Sequence, residues 1–387
     1  MMAGGGLAAG MDFKHIILAT LGGNIFLSII AVLISIIACK TGLTFALLTR
    51  YSFGSTGSKA ASIFVPVVNL GWYTIQAATY GHFVAQVFHM GQVGEGICMA
   101  VSAIVMGIFA MCGIGAITIL GYIAIPAIVF LSIATAIRSL GVIGGMEALF
   151  AYVPSSDMPL FTGITAVIGT WVLSTATCIA DIMRYAKDTK AAVSATLTGL
   201  LGGNILMIVC GAIAAIAMQN SDLTVILLGF GLVIPSLILM TTNIFTTNAA
   251  NLYSTSLNLS NAFKMERKKM LAILLVLSAL ATLTKPYEIG FLFTFLNILG
   301  TVVPPLSGII LSDYFLVHKG HYAAYDKASF CKWNPVPWIT WAISIALVYM
   351  IPFGLPSLNG IILGAVLYTA LMAISKQRVT TNLAEEA

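Results

Sequence analysis

One polar segment of this chain, "TTNIFTTNAANLYS" (241–254), carries side chains that could bind a cation. Eight of its fourteen residues are Thr, Asn or Ser, and it follows the apolar run 225–240. On a helix, a stripe with i, i+3, i+4, i+7 spacing is formed by Asn243, Thr246, Thr247, Ala250, Asn251 and Ser254. With carbonyls from an unwound neighbouring helix, these neutral oxygens would make a hard-oxygen site for a small cation. Alternatively, each hydroxyl bonds back to a carbonyl of its own helix.

A second cluster could bind a flat ligand. In "VNLGWYTIQ" (68–76), four side chains share one helical face: Asn69, Trp72, Tyr73 and Gln76. Aromatic rings beside amides suit a planar, neutral heterocycle that is stacked on a ring and hydrogen-bonded at its edge. The alternative is an interfacial Trp/Tyr belt with amide bonds between helices. Trp171 and Ser174, in another apolar segment, offer a second aromatic wall and a hydroxyl.

Neither cluster contains Lys, Arg, Asp or Glu, which predicts a neutral substrate and favours a metal cation over a proton relay. An intramembrane enzyme, the rival from another functional class, would need a His, Cys or carboxylate cluster at membrane depth. All five His lie at or near predicted loops. No repeated pore element indicates a channel. The sequence therefore predicts a transporter with no catalytic residues and no cofactor other than a coupling ion.

The elements that must carry these clusters are membrane helices. Of the 387 residues, 59% are hydrophobic and 8% are charged, so too few polar residues exist to cover a soluble core. Apolar runs long enough to cross about 30 Å of hydrocarbon recur along the chain. They predict an all-α polytopic membrane protein with spans near 15–38, 61–82, 97–111, 115–137, 160–182, 191–218, 223–255, 270–284, 287–317, 336–352 and 357–375.

Basic residues assign the loops to the two sides of the membrane. With alternate loops on opposite sides, all but three of the 18 Lys and Arg fall on one side, including Lys376 and Arg378 after the last span. The positive-inside rule makes that side the cytoplasm, which predicts a multi-pass inner-membrane protein with a cytoplasmic C-terminus. Residues 1–12 are then too short to cross. We therefore expect a truncated first helix, with a re-entrant or exoplasmic tail as the alternative.

Two segments carry residues that weaken a helix: "AGGG" (3–6), and "GTWVLSTATCIAD" (169–181), which is rich in Ser and Thr. We expect the chain to be unwound there. With the first helix completed, these are spans one and six. Two interrupted helices five spans apart indicate an inverted five-helix repeat with the binding site between the breaks. The alternative is that the small residues merely allow close helix packing.

Five segments resemble the nucleobase:cation symporter-1 family, and most closely its cytosine permease branch: "CKTGLTFALLTRYSFGSTGSK" (39–59), "NLGWY" (69–73), "ADIMRYAKDTKAA" (180–192), "NIFTTNAANLYS" (243–254) and "PPLSGIILSDYFL" (304–316). The resemblance implies a LeuT-type fold. Residues 1–137 would form the first inverted repeat, with its first helix incomplete, residues 160–317 the second, and residues 336–375 two C-terminal transmembrane helices. It also implies a monomer that imports a neutral nucleobase, cytosine or a related pyrimidine or purine, by cation symport and alternating access. The alternative is another flat heterocycle, such as hydantoin, allantoin or a thiamine precursor.

The resemblance also implies a cation site. Asn243, Thr246 and Thr247 match the eighth-helix motif, in which the two hydroxyls are expected to coordinate Na⁺. The remaining ligands are expected from the missing part of the first helix. H⁺ is the alternative coupling ion.

The implied base site draws on three helices. Asn248 is expected to contact the base, and Trp72 matches the stacking aromatic of the third helix. Asn69 stands where cytosine permeases usually carry Gln, so its amide is shorter by one methylene. Trp171 stands at or beside a position usually held by Phe, and Ser174 lies one turn further on.

Overall fold

A computed structural model describes residues 1–111, 114–220, 233–375 and 380–382, together with residues 226, 228 and 229. Within these residues each predicted span corresponds to a helix, which confirms an all-α polytopic membrane protein. The predicted span 223–255 begins at residues that mostly lie outside the described part, as do Lys376 and Arg378.

The helices are, in chain order, α1 (Met2–Gly10), α2 (Phe13–Thr41), α3 (Phe45–Val87), α4 (Gln92–Met111), α5 (Ile114–Ile143), α6 (Met146–Phe150), α7 (Leu160–Met183), α8 (Thr189–Met218), α9 (Val233–Phe263), α10 (Arg267–Thr282), α11 (Ile289–Val317), α12 (Val336–Met350) and α13 (Pro356–Ser375). In the described residues, five of them are long and apolar enough to cross a membrane by themselves: α2, α7, α8, α11 and α13. A short antiparallel strand pair joins β1 (Ala328–Phe330) to β2 (Thr380–Asn382).

Three of these helices contain π-helical segments. They are Ser174–Cys178 in α7, Thr198–Asn204 in α8 and Asp313–Val317 in α11. Helix α3 is interrupted at Gly54, whose φ of 80° suits glycine. A Cβ at this position would lie 2.7 Å from the Cys331 carbonyl oxygen, so only a residue without a side chain fits at the interruption.

The chain groups into two compact units. The first unit contains Met1–Ile16, Ile63–Met158 and Leu206–Thr294, and the second contains Ile17–Ser62, Pro159–Ile205 and Phe295–Ala387. Each unit draws segments from both predicted repeats, whose boundaries remain a prediction.

In the first unit, α3 and α9 run antiparallel in a regular register. The Thr255 hydroxyl bonds the Pro66 carbonyl at 3.5 Å, the Asn248 amide bonds the Tyr73 carbonyl at 3.0 Å, and the Tyr80 and Thr241 hydroxyls lie 3.0 Å apart. Each contact advances two helical turns along one helix and retreats two turns along the other. Such a repeat is typical of helices that pack at a small crossing angle.

The prediction that residues 3–6 are unwound is wrong, because Met2–Gly10 form a regular α-helix. The glycines allow close packing instead, as the alternative predicted. A Cβ on Gly4 would lie 2.0 Å from the Ile208 carbonyl oxygen, and one on Gly6 would overlap the Phe293 ring. On the facing helix, Gly211 approaches the Met1 backbone equally closely. Tertiary contact therefore outweighs the weak helix propensity of glycine here.

The second unit has the same kind of contact between α7 and α11. A Cβ on Gly169 would lie 2.0 Å from the Leu296 carbonyl oxygen, and one on Gly300 would lie 2.5 Å from the Thr165 carbonyl oxygen. The expected interruption at 169–181 is not an unwound segment. It is the π-helical turn Ser174–Cys178, and the chain stays helical on both sides of it.

Candidate functional site

Helix α9 carries the residues of the predicted polar stripe. Asn243, Thr246 and Thr247 are all partly exposed. The Thr246 hydroxyl donates to the carbonyls of Thr242 and Asn243 at 2.8 and 2.9 Å, and the Thr247 hydroxyl donates to Asn243 at 3.0 Å. Both hydroxyls therefore bond back to their own helix, as the alternative predicted.

This bonding is compatible with cation coordination. A hydroxyl has one proton and two lone pairs, so a threonine that donates its proton to a helix carbonyl still has lone pairs for another ligand. The described residues contain no group of three or more His, Cys, Asp or Glu that could hold a metal ion. Thr246 and Thr247 would instead offer neutral hydroxyl oxygens to a cation. The Na⁺ role of the three stripe residues remains a prediction.

The opposite face of α9 is apolar and buried. Ile244, Phe245 and Leu252 belong to a hydrophobic cluster that also includes Tyr73 and Met106. The Phe245 ring meets the Tyr80 ring edge-on, with centroids 5.3 Å apart. This face is what positions the stripe, because burial of one side of α9 orients the other side away from α3.

Asn248 lies on the buried face of α9. Its side chain is 0% exposed, and its amide nitrogen donates to the Tyr73 carbonyl at 3.0 Å and contacts the Met106 sulfur at 3.3 Å. Its Oδ1 atom is buried without a hydrogen-bond partner in the described structure. In this conformation Asn248 joins α9 to α3 and α4, and its contact with a base remains a prediction.

The cluster on α3 contains one residue packed in the core and two amides with unused hydrogen-bonding groups. Tyr73 is fully buried and its hydroxyl donates to the Ala103 carbonyl, so it belongs to the core. Asn69 is 5% exposed, and its side-chain amide makes no hydrogen bond in the described part of the chain. The Oε1 of Gln76 likewise has no partner among the described residues. Trp72 is partly exposed and stands three residues after Asn69. An aromatic ring beside two amides with free hydrogen-bonding capacity thus lies on one helix.

The remaining two predicted residues lie in the second unit, on α7. Trp171 is 44% exposed, and its indole nitrogen donates to Asn204 Oδ1 at 3.0 Å. Ser174 begins the π-helical turn, and its hydroxyl makes no hydrogen bond among the described residues. The neighbouring hydroxyls of Thr170 and Thr175 bond back to their own helix. The role of Ser174 in binding a substrate remains a prediction.

Sequence reasoning missed two amides that contact this region. Asn204 links Trp171 to Asn24, whose Oδ1 accepts from Asn204 Nδ2 at 2.8 Å. The Asn24 amide in turn donates to the Thr20 carbonyl at 2.8 Å. The available signal was a lone Asn in the middle of each of two apolar spans, since buried amides need partners.

Glu95, near the start of α4, is a buried carboxylate that lies apart from these clusters. Glu95 accepts hydrogen bonds from the Tyr287 hydroxyl at 2.6 Å and pairs with His82 Nδ1 at 2.7 Å. The Lys285 ammonium lies 3.4 Å from its other oxygen. The cluster fastens the segment before α11 to α3 and α4 within the first unit.

Comparison with known proteins places the whole chain in one group of transporters. The family model described as "permease for cytosine/purines, uracil, thiamine, allantoin" matches residues 1–372. Cytosine permease of Escherichia coli (strain K12) is 30% identical over 383 residues, which cover 99% of this chain and 89% of that protein. Hydantoin permease of Microbacterium maritypicum is 24% identical over 407 residues, covering 96% and 82% respectively.

Solved structures match at the level of the fold. The inward-facing conformation of Mhp1 aligns with a TM-score of 0.84 at 20% identity, covering 97% of this chain and 87% of that one. A closed, bromovinylhydantoin-bound Mhp1, a nucleobase-cation-symport-1 family transporter, aligns at 0.80 and 19% identity, covering 99% and 91%. MhsT in complex with L-phenylalanine aligns at 0.61 and 16% identity, covering 96% and 92%. The predicted LeuT-type fold is confirmed.

Proposed function

This chain belongs to the family of permeases for cytosine/purines, uracil, thiamine and allantoin, and within that family we propose that it imports a neutral nucleobase together with Na⁺. It is a multi-span membrane transporter of a cation-coupled symporter family and not an enzyme. More specifically, we propose that it carries cytosine or a related pyrimidine or purine together with sodium. We also propose that it lies in the cell membrane with a cytoplasmic C-terminus and acts as a monomer.

The observation that carries the proposal is the free hydrogen-bonding capacity next to Trp72. Asn69 has an unused amide at 5% exposure, and Gln76 has a buried carbonyl oxygen without a partner among the described residues. Buried polar groups are normally satisfied. An amide offers both a donor and an acceptor, which is what the edge of a nucleobase requires. A planar ring stacked on the indole would bring its edge to these amides.

The cation would act through differential affinity. If Na⁺ binds the Thr246 and Thr247 hydroxyls more tightly in one conformation, it raises the population of that conformation. A base that binds the same conformation then binds more tightly, and by linkage the base strengthens Na⁺ binding equally. Alternating access between such states moves both solutes inward.

A second candidate is a hydantoin-like heterocycle. Asn69 has a shorter amide than the Gln of cytosine permeases, so a cytosine edge would be one methylene further away. The 24% identity to a hydantoin permease over 96% of this chain also favours this alternative. Both candidates use the same stacking and edge contacts, so direct binding must separate them.

The test is ligand-dependent thermal stabilisation of the purified chain. Cytosine, uracil, hypoxanthine, allantoin and hydantoin are each titrated in NaCl and in choline chloride at the same ionic strength. A ligand that binds only the folded state raises its stability by about 2.7 kcal/mol at one hundred times its Kd. We expect one nucleobase to raise the melting temperature, and to do so more strongly in NaCl.

The other outcomes revise the proposal in defined ways. A shift for hydantoin alone would favour the second candidate. A shift that follows pH and ignores Na⁺ would make H⁺ the coupling ion. No shift for any compound in either salt would reject the proposed nucleobase function for this chain and leave the fold unaffected.

A further inference from the structure

The indole of Trp171 is held by a hydrogen-bond chain that crosses three segments of the second unit. Trp171 Nε1 donates to Asn204 Oδ1 at 3.0 Å, Asn204 Nδ2 donates to Asn24 Oδ1 at 2.8 Å, and Asn24 Nδ2 donates to the Thr20 carbonyl at 2.8 Å. Asn24 and Thr20 are fully buried in α2, whereas nearly half of the Trp171 side chain is exposed. The hydrogen-bond chain therefore runs from buried positions on α2 to a partly exposed ring.

The donor and acceptor groups at the two ends of this hydrogen-bond chain fix the direction of all three bonds. An indole N–H can only donate and a backbone carbonyl can only accept. Asn204 must consequently present its oxygen to Trp171 and its nitrogen to Asn24, and Asn24 must present its nitrogen to Thr20. A flip of either amide would place two donors or two acceptors against each other. One arrangement of both amides therefore satisfies all three bonds.

The backbones of the helices around this hydrogen-bond chain are closely packed or irregular. A Cβ on Gly23 would lie 2.5 Å from the Val167 side chain, so α2 and α7 approach each other one turn before Trp171. Asn204 ends the π-helical segment Thr198–Asn204, and Ser174–Cys178 begins three residues after Trp171. Trp171 and Asn204 thus both stand at or near an irregular turn, and such turns are frequent at functional sites.

We propose that Asn204 and Asn24 are positioning residues that fix the ring plane of Trp171 for stacking against the transported heterocycle. This inference rests on the proposed function. It adds that substrate affinity depends on two amides that act through the indole and not by touching the substrate. A ring already held in its binding orientation loses less rotamer freedom when the ligand stacks on it.

The test is a double-mutant cycle with cytosine as the probe in NaCl. Asn204→Leu removes both bonds of the central amide, and Trp171→Phe removes the indole donor while keeping an aromatic ring. We expect Asn204→Leu to weaken cytosine binding about three- to tenfold in the parent chain and to have no effect in the Trp171→Phe background. Asn24→Leu is expected to behave in the same way, and it supplies a second route if Asn204→Leu does not fold.

Two further measurements make the result specific. Acrylamide quenching of the Trp171 fluorescence, taken as the difference between each variant and its Trp171→Phe counterpart, reports the ring without ligand. We expect Asn204→Leu to change it. Gly202→Ala is the matched control, because it lies in the same π-helical segment, its Cβ would face open space, and it leaves all three bonds in place. It should bind cytosine like the parent.

Each contrary result has a separate meaning. A loss of affinity that persists in the Trp171→Phe background would overturn the positioning role, since Asn204 would then act by another route. Changed quenching with unchanged affinity would overturn it too. If the parent chain does not bind cytosine, the proposed function fails for that base. Unchanged ligand-free quenching in Asn204→Leu then overturns the positioning role independently.

Discussion

Replacing the Thr247 hydroxyl tests the cation site most directly. Thr247→Val removes the oxygen and keeps the shape of the side chain, whereas Thr247→Ser keeps the oxygen and removes a methyl group. The Asn243 carbonyl accepts from both Thr246 and Thr247, so it retains a side-chain donor in either variant. The free energy of unfolding without ligand should therefore change by no more than about 0.5 kcal/mol.

The expected effect on Na⁺ is much larger. A neutral oxygen that faces a charge contributes about 1.5–3 kcal/mol, which corresponds to a change of about 10–150-fold in affinity. We expect Thr247→Val to raise the half-maximal Na⁺ concentration for thermal stabilisation by this factor. Thr247→Ser should stay within about threefold of the parent. Base-dependent stabilisation in Thr247→Val should then lose its Na⁺ dependence at ordinary salt, because the two ligands are linked.

The control is Thr294→Val in the same unit. The Thr294 hydroxyl bonds its own helix at the Gly290 carbonyl at 2.8 Å and lies outside the stripe. Its loss should leave the Na⁺ titration unchanged. If Thr247→Val binds Na⁺ as well as Thr294→Val does, then the Thr247 hydroxyl serves only its own helix. The cation site would have to be sought elsewhere.

Three other pairs of substitutions test the structure. Gly169→Ala should lower the free energy of unfolding by about 1–3 kcal/mol, because its Cβ would lie 2.0 Å from the Leu296 carbonyl oxygen. In the same melting assay, Gly202→Ala should be neutral or stabilising by up to about 1 kcal/mol. Equal melting temperatures for the two variants would contradict the close approach of α7 and α11. Glu95→Gln should destabilise the chain by about 1–3 kcal/mol, since it weakens bonds at a buried acceptor. Lys285→Met should have a smaller effect because the Lys285 side chain is 38% exposed. The reverse order of the two effects would show that the lysine holds the cluster. The hydrogen bond from the His15 backbone N–H, with a contribution from the His15 side chain, lowers the pKa of Asp12, which precedes α2. The resulting stabilisation is complete above the ordinary carboxyl pKa of about 3.9 and is lost as pH falls through the lower folded value, so the stability advantage of the parent over Asp12→Asn should shrink in acid. At neutral pH, Asp12→Ala should lower the free energy of unfolding by about 1 kcal/mol through loss of the helix cap.

The parts of the fold that follow from burial could be predicted from the sequence. In α9, the apolar residues Ile244, Phe245 and Leu252 recur at helical spacing, and the structure buries them against α3 and α4. Such a period needs no knowledge of the partner helix, because every membrane helix in a bundle separates a packed face from other faces. Asn248 shows the limit of this reasoning. Its membership of the packed face follows from the same period, but its bond to the Tyr73 carbonyl depends on the register between α3 and α9.

The positions of glycine did not predict the backbone conformation, for a related reason. Gly4, Gly6 and Gly169 were expected to unwind their helices, and each allows a neighbouring backbone or ring to approach instead. Gly202 and Gly203 meet nothing within 4 Å, and they lie in the π-helical segment of α8. The same residue type thus marks close packing in one helix and irregular backbone in another. Only the presence of a facing element distinguishes the two, and a single sequence does not reveal it.

The amides that hold Trp171 could not be predicted for a more specific reason. One π-helical turn adds a residue to a helix and rotates everything beyond it by about 100° relative to regular α-helix. Asn204 stands at the end of such a turn. A regular helical wheel drawn from the start of α8 therefore assigns Asn204 to the wrong face. Trp171 precedes the turn in α7 and is not displaced in this way. A contact between them exists only in the irregular geometry, so restoring α-helical register in α8 should break the Trp171–Asn204 bond even if both side chains are kept.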